Sequence, residues 1–232
     1  MRDVVLVHGA WHGAWSWRRV LPLLWAGGAR AVTVSLSGVG ERPGVTGVTL
    51  QTHVDDVVAV VRAEECRGAV LVAHSYAGVP VTAAADVLGD AVGPLVYVDA
   101  VLPEPGECWS SLSPPDTKAE QRTQIAADGV LPAPPATVFG LTGDDAAWVD
   151  RRQTTHPGGV YDDPVHFDAA RWSARPRTYV SCTAPPLASI DPSRARVAGQ
   201  PGWSMVELAT GHDPMISAPG ELAAVLLDVA RS

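Results

Sequence analysis

Ser75 stands in the run Val70-Leu71-Val72-Ala73-His74-Ser75-Tyr76-Ala77-Gly78, where a β-branched stretch gives way to small residues and then to a helical pattern. A serine on a sharp turn between strand and helix has the placement of a nucleophile elbow, with its hydroxyl pushed up above a sheet edge. Such a turn leaves room only for small side chains two positions away. Ala73 and Ala77 meet that demand where glycine is usual. A serine hydroxyl is a weak nucleophile until a base takes its proton. Gly211-His212-Asp213-Pro214 follows the last strand-like run, so His212 is the expected general base, with serine first and histidine last in chain order. The plainer alternative makes Ser75 a helix N-cap and nothing more.

The acid that would orient His212 has two candidates. Asp99 ends the strand-like run 95–98, and a carboxylate at the C-terminal end of a parallel strand faces the crevice where such sheets bind ligands. Asp191 lies several residues beyond the run 178–182. Strand-end placement favours Asp99 over Asp191; a serine–histidine dyad without an acid is the third option. His8-Gly9-Ala10-Trp11 directly follows the first strand. A loop there and the residue after the nucleophile supply backbone N–H groups to an oxyanion, which assigns those donors to Ala10 and Tyr76. Trp11, His74, Trp109, Trp148 and Met215 are expected to line the substrate pocket.

Other residues could suggest metal. His8 and His12 are four apart, a spacing that serves on a helix, but Gly9 and Gly13 make this stretch a loop. His156, Asp162, Asp163, His166 and Asp168 sit among Pro and Gly, as solvated turns do. The expectation is no metal and no cofactor. Gly38-Val39-Gly40-Glu41-Arg42-Pro43 begins like a dinucleotide fingerprint but ends in Pro with no helix opening on it, and reads as a loop near the pocket mouth.

These groups need elements to hold them. Val4–Val7, 31–36, 69–73 and 95–98 read as strands buried on both faces, separated by helical patterns at 15–26, 49–65 and 77–88. In 49–65, Val54, Val57, Val58 and Val61 form one stripe, with Asp55, Asp56 and Arg62 off it. The alternation predicts a mostly parallel sheet of about six strands with helices on both faces. It stops at 103–175, a stretch rich in Pro, Gly and Asp, read as an inserted cap; residues 1–102 and 176–232 form the core. Strands resume at 178–182 and Trp203–Leu208, and a helix at 221–230 closes the chain. Aromatics in the insertion (Trp109, Phe139, Trp148, Phe167 and Trp172) are expected to pack it on the sheet or to line an apolar acyl pocket.

Composition narrows the partners. The net charge is −8 with no basic run, so nucleic acid and anionic membrane are poor partners. Lys118 is the only lysine, in a polar stretch, which removes phosphate-loop, kinase and Ser-x-x-Lys chemistries. Cys66, Cys108 and Cys182 form no close pair, so a reducing, cytoplasmic setting is expected. Only Met1 to Asp3 precede the first strand, so no signal peptide is expected.

The segments 5–15, 74–78 and 211–215 (Val-Leu-Val-His-Gly-Ala-Trp-His-Gly-Ala-Trp, His-Ser-Tyr-Ala-Gly and Gly-His-Asp-Pro-Met) resemble the α/β hydrolases related to plant methyl esterases and hydroxynitrile lyases, with their small bacterial carboxylesterase relatives. The resemblance spans nearly the whole chain and is weakest in the cap. It implies the α/β-hydrolase fold, the roles of Ser75 and His212, the oxyanion donors Ala10 and Tyr76, and a homodimer. It places the acid near Ala184 or Pro185, where this chain has no carboxylate. Lyases of the group carry a lysine just after the catalytic histidine and a threonine in the first loop; here those places hold Asp213 and Ala10, so lyase activity is not expected. The expected function is that of a serine esterase cleaving an ester, lactone or thioester. A natural-product cyclase or lyase, or a non-catalytic small-molecule receptor, are the alternatives.

Overall fold

Strand residues in this chain alternate between two apolar layers, and that alternation sets the architecture. The computed structural model describes residues 1–232 in full. In chain order the regular elements are β1 (Val4–Val7), α1 (Leu21–Ala26), β2 (Ala31–Val34), α2 (Leu50–Ala63), β3 (Ala69–His74), α3 (Gly78–Leu88), β4 (Val92–Val98), α4 (Pro115–Asp128), β5 (Val130–Leu131), α5 (Gly143–Asp150), β6 (His156–Pro157), α6 (Ala169–Ser173), β7 (Arg177–Cys182), α7 (Asp191–Val197), β8 (Trp203–Leu208), α8 (Pro214–Ser217) and α9 (Pro219–Arg231). Six strands form one parallel sheet in the order β2-β1-β3-β4-β7-β8. Val5, Val7, Leu71 and Ala73 point into a core shared with α2 and α3. Val4, Leu6, Val70 and Val72 point into a second core with α1 and α9. Each buried valine or leucine among them contributes about 1.5–3 kcal/mol relative to exposure, so both layers hold the strands firmly below the site. This is the α/β-hydrolase fold.

Helix starts follow local chemistry. The Thr49 side chain accepts from Thr52 N–H, and Thr52 returns a bond to Thr49 N–H, closing a capping box at α2. The predicted helix 15–26 is instead a 3-10 segment, Ala14–Arg19, and α1, divided at Val20. Pro22 explains the division: its ring has no N–H and collides with the carbonyl four residues back. The Glu41 carboxylate accepts from the N–H groups of Ala14 and Trp15 at 3.0 and 2.7 Å. The glycine loop at 38–43 therefore packs on the start of the 3-10 segment, away from the pocket mouth. At Gly40 an added Cβ would lie 2.5 Å from Gly13 Cα.

Residues 103–175 leave the sheet after β4 and rejoin it at β7. They contain α4, α5, α6 and an antiparallel β5–β6 ribbon. α4 was not predicted. None of its residues is buried, so it carries no apolar stripe to announce it. No helix in the structure is long and apolar enough to cross a membrane.

Candidate active site

Three side chains from three strand ends form one hydrogen-bonded series. Ser75 Oγ lies 2.9 Å from His212 Nε2, and His212 Nδ1 lies 2.7 Å from Asp99 Oδ2. A carboxylate accepts from Nδ1–H, which leaves Nε2 to accept the serine proton. His212 sits on the loop between β8 and α8, fixed by its N–H to the carbonyl of Phe139 at 2.9 Å. Asp99 is fully buried. Burial alone would raise its pKa; bonds from His212 and the charge of Arg194 outweigh it and hold the carboxyl below its usual range.

Arg194 from α7 grips that carboxylate with Nη2 at 2.7 and 3.0 Å and also bonds the Leu187 carbonyl at 3.0 Å. Asp191, the other candidate acid, makes no contact with His212. It begins α7 at the surface and pairs with Arg194 Nη1 at 2.6 Å, so the guanidinium stands between it and Asp99.

The backbone is strained where the chemistry sits. Only four non-glycine residues have φ in the left-handed region, and three are Trp11 (62°), Ser75 (53°) and Asp99 (43°). Each such position costs on the order of 1–3 kcal/mol and persists only where packing over-determines it. Around Ser75 that packing is close. A Cβ on Gly9 would come within 2.8 Å of Ser75 Cβ and His74 Nδ1, and one on Gly78 within 1.8 Å of the Val101 carbonyl oxygen. Val101 N–H also donates to the Ser75 carbonyl at 2.9 Å, lacing the elbow to the exit of β4.

The loop that carries Ala10, the expected oxyanion donor, is set from below by buried histidines. Ala10 N–H donates to no acceptor within the chain, while its carbonyl accepts from His12 Nδ1–H at 2.8 Å. His12 Nε2 faces Asp213 Oδ2 at 3.1 Å, so both ring nitrogens meet acceptors and the ring is an imidazolium. Burial opposes the His12 cation, but Asp213 raises its pKa; in turn burial opposes the Asp213 anion, but His12 pulls it down to about 2. Burial pushes His8, His53, His74 and His156 the other way, toward the neutral ring. Burial takes His8 to about 4, and burial with the neighbouring His212 takes His74 to about 3. Tyr76, the second expected donor, is anchored by its hydroxyl on His53 Nδ1 at 2.9 Å.

A pocket of about 320 Å³ opens on Ser75 and His212. Trp11 and Trp109 line it, as expected, and so does Phe139. The opposite walls are Leu187 to Ile190 and the α4 side with Thr117 and Gln121. No Asp, Glu, Lys or Arg reaches it. Three expected pocket residues lie elsewhere. His74 is buried beneath the site, its Nε2–H donating to the His212 carbonyl at 2.9 Å. Met215 is fully buried in the α1/α9 core. Trp148 packs edge-on against Trp15, with Arg19 and Arg152 over its ring. Phe167 and Trp172 pack on the sheet side, where Trp172 Nε1–H donates to Tyr97 at 2.8 Å.

A family model described as the alpha/beta hydrolase family matches residues 4–225. The chain belongs to that family. This hydrolase is 35% identical to the carbendazim hydrolyzing esterase of Nocardioides sp. (strain SG-4G), over 96% of this chain and 97% of that protein. It is 28% identical to esterase PIR7B of Oryza sativa subsp. japonica, over 99% and 96%. Its fold matches an extracellular alpha/beta-hydrolase from a Paenibacillus species with a TM-score of 0.88 at 17% identity, covering 100% of both chains. With esterases and hydrolases as its relatives, the chain is an enzyme of the ester-hydrolysing class.

The hydrolase departs from its resemblance at the acid. No carboxylate follows β7; Pro185 packs instead near Gly140, where an added Cβ would come within 2.9 Å. β4 and β7 are neighbours, and Asp99 N–H donates to the Val180 carbonyl at 2.7 Å. A carboxylate one strand over therefore reaches the same imidazole nitrogen. His74, His212 and Asp213 present ligand atoms within 4.8 Å of one another. Both nitrogens of His212 are already engaged by Ser75 and Asp99, and His74 Nε2 by a carbonyl, so the trio does not converge on a shared ion. The residues of the insertion that suggested metal are dispersed: Asp162 pairs with Arg122, Asp163 accepts from Leu50 N–H, Asp168 caps α6, and His156 is buried among rings.

Proposed function

We propose that this hydrolase cleaves a compact, neutral carboxylic ester, lactone or thioester through an acyl-enzyme on Ser75. The observation that carries the reading is the Ser75–His212–Asp99 series, with bonds of 2.9 and 2.7 Å, opening into an uncharged pocket. Ser75 Oγ attacks the carbonyl carbon while its proton passes to His212 Nε2. Asp99 holds the imidazole tautomer and stabilises the cation that forms. The N–H groups of Ala10 and Tyr76 receive the oxyanion, each such donor being worth about 3 kcal/mol of barrier. His212 returns its proton to the leaving alkoxide or thiolate. It then deprotonates a water that attacks the acyl carbon, and the carboxylic acid and free Ser75 result. The absence of ionised side chains from the pocket supports a neutral substrate, since an unpaired charge buried there would lose its hydration without a partner. The 103–175 segment acts as a lid that supplies Trp109 and Phe139 to the acyl or alcohol side.

Hydrolysis of short and medium p-nitrophenyl esters tests the roles. Ser75→Ala and His212→Ala should abolish turnover, and Asp99→Asn should lower kcat by about 10²–10⁴-fold, as loss of the tautomer-holding carboxylate does in other triads. Asp191→Asn should leave kcat within about twofold, because a surface ion pair contributes little. An inactive wild type whose Ser75→Ala variant binds ligand equally well overturns the hydrolytic reading.

A further inference from the structure

We propose that the cleft between α6, α7 and the starts of β7 and β8 is a second binding site, taking a monocarboxylate with an aromatic or compact alkyl body. It lies beyond the reading of Ser75 and shares no lining residue with the catalytic pocket. The cleft measures about 550 Å³. Arg177 is its charged floor.

Arg177 opens β7 and pairs in register with Trp203, which opens β8. Arg177 is 7% exposed and its guanidinium lies between two indoles, with its carbon 4.5 Å from the Trp172 ring and 4.8 Å from the Trp203 ring. Cation–π contact stabilises its charge but uses none of its donors. A guanidinium has five N–H donors in a planar fork. No acceptor in the chain takes any of them, and Nε is fully enclosed without a partner. Every other buried or half-buried arginine around this end of the sheet is engaged: Arg175 by the carbonyls of Val92, Ala85 and Gly89, Arg194 by Asp99, Arg196 by Glu107. Arg177 alone is desolvated, charged and unpaired, in a chain whose net charge is −8.

The surroundings define the ligand class. Carboxylate geometry matches the fork, two oxygens to two parallel N–H groups. One free cation balances one negative charge. Arg196 lines the same cleft but is already neutralised by Glu107, and Glu104 stands on the rim, so a phosphate dianion meets two carboxylates for one available arginine. Phe167, Trp172 and Trp203 supply flat apolar faces for the body of the ligand.

The test follows the indole N–H signals of the tryptophans in ¹⁵N-labelled full-length protein, with those of Trp172 and Trp203 assigned through Trp172→Phe and Trp203→Phe. Sodium benzoate is the probe, with benzamide and inorganic phosphate as controls. Benzoate should shift the Trp172 and Trp203 signals saturably, benzamide and phosphate should not, and Arg177→Met should weaken benzoate at least tenfold while p-nitrophenyl ester hydrolysis stays unchanged. Benzoate that shifts only the Trp11 and Trp109 signals, or equal shifts from benzoate and benzamide, overturns the site. So does unaltered benzoate binding by Arg177→Met. Should Arg177→Met fail to fold, the comparison of benzoate with benzamide on the wild type decides the question alone.

Discussion

Ser75 and His212 were legible because their signals are local: a strand, a turn with small neighbours and a helix for one, the loop after the last strand for the other. Asp99 was legible as a strand end. Its grip by Arg194 was not, since 95 positions separate them. The layer beneath was hidden for the same reason. His12 and Asp213 are 201 residues apart, and neither is an unusual residue in a polar loop. Their pairing has a measurable signature. Both are at least 98% buried, so removing one partner leaves an uncompensated charge in the interior. His12→Leu should cost about 3–5 kcal/mol, whereas the double variant His12→Leu/Asp213→Leu should recover most of it. Guanidinium unfolding midpoints of wild type, single and double variants read this directly. A double variant no more stable than His12→Leu would mean that the ion pair is not the source of the cost.

At the scale of elements, the sequence marked strands better than helices. Trp203–Leu208 has the predicted bounds, and β3 runs one residue past its predicted end, to His74. β4 begins three residues early, at Val92, because the edge of a buried strand carries no pattern that distinguishes it from its turn. Helices failed where their faces are not amphipathic: α4 half-buries a mostly polar side and fully buries no residue, and α1 is shortened by Pro22. α2 shows what a well-signed helix contains. Its apolar face is buried and its first turn is closed by the Thr49–Thr52 box. Thr49→Ala should remove about 1 kcal/mol, lowering Tm by about 2–4 °C for a chain of this size. Thr49→Ser should restore it, and thermal melts of the three proteins compare them. An unchanged melt for Thr49→Ala would show that water replaces the cap.

For the molecule as a whole, the expected sheet could be read from the chain, and so could an apolar pocket lined by aromatics of the insertion, while three of the five expected pocket residues could not be placed. Whether an aromatic lines a cavity or a core depends on how the insertion folds back, which no local pattern encodes. The structure also makes a global forecast about acid. Six of the seven histidines are buried. Burial lowers the pKa of four of them, His8, His53, His74 and His156, below the ordinary 6.5. A group depressed in the folded state is protonated first in the unfolded chain, so each withdraws stability as pH falls below 6.5. The loss is about 1.4 kcal/mol per pH unit per histidine until the folded value is reached. His12 has the opposite sign: its raised pKa gives stability that is complete below 6.5 and is lost as pH rises through its folded value. Asp99 and Asp213, both depressed, withhold their losses until pH falls below about 4. Tm should therefore drop steeply between pH 6.5 and 4.5, above the range where these carboxylates titrate, and a flat profile there would contradict buried neutral histidines. The acid's position has another consequence, for interchangeability. Ser75, Asp99, Ala10 and Tyr76, the proposed nucleophile, acid and oxyanion donors, all precede residue 102, upstream of the long insertion, and Val101 ties the turn at Ser75 to the exit of β4. If residues 103–175 act as the proposed lid, that lid is a cassette: its length and composition can drift, and selectivity with it, without changing the spacing of Ser75 and Asp99. The stitches that a replacement must reproduce are the carbonyl at position 139 that holds His212 and the bonds from Leu131, Thr154 and His156 that hold Trp11.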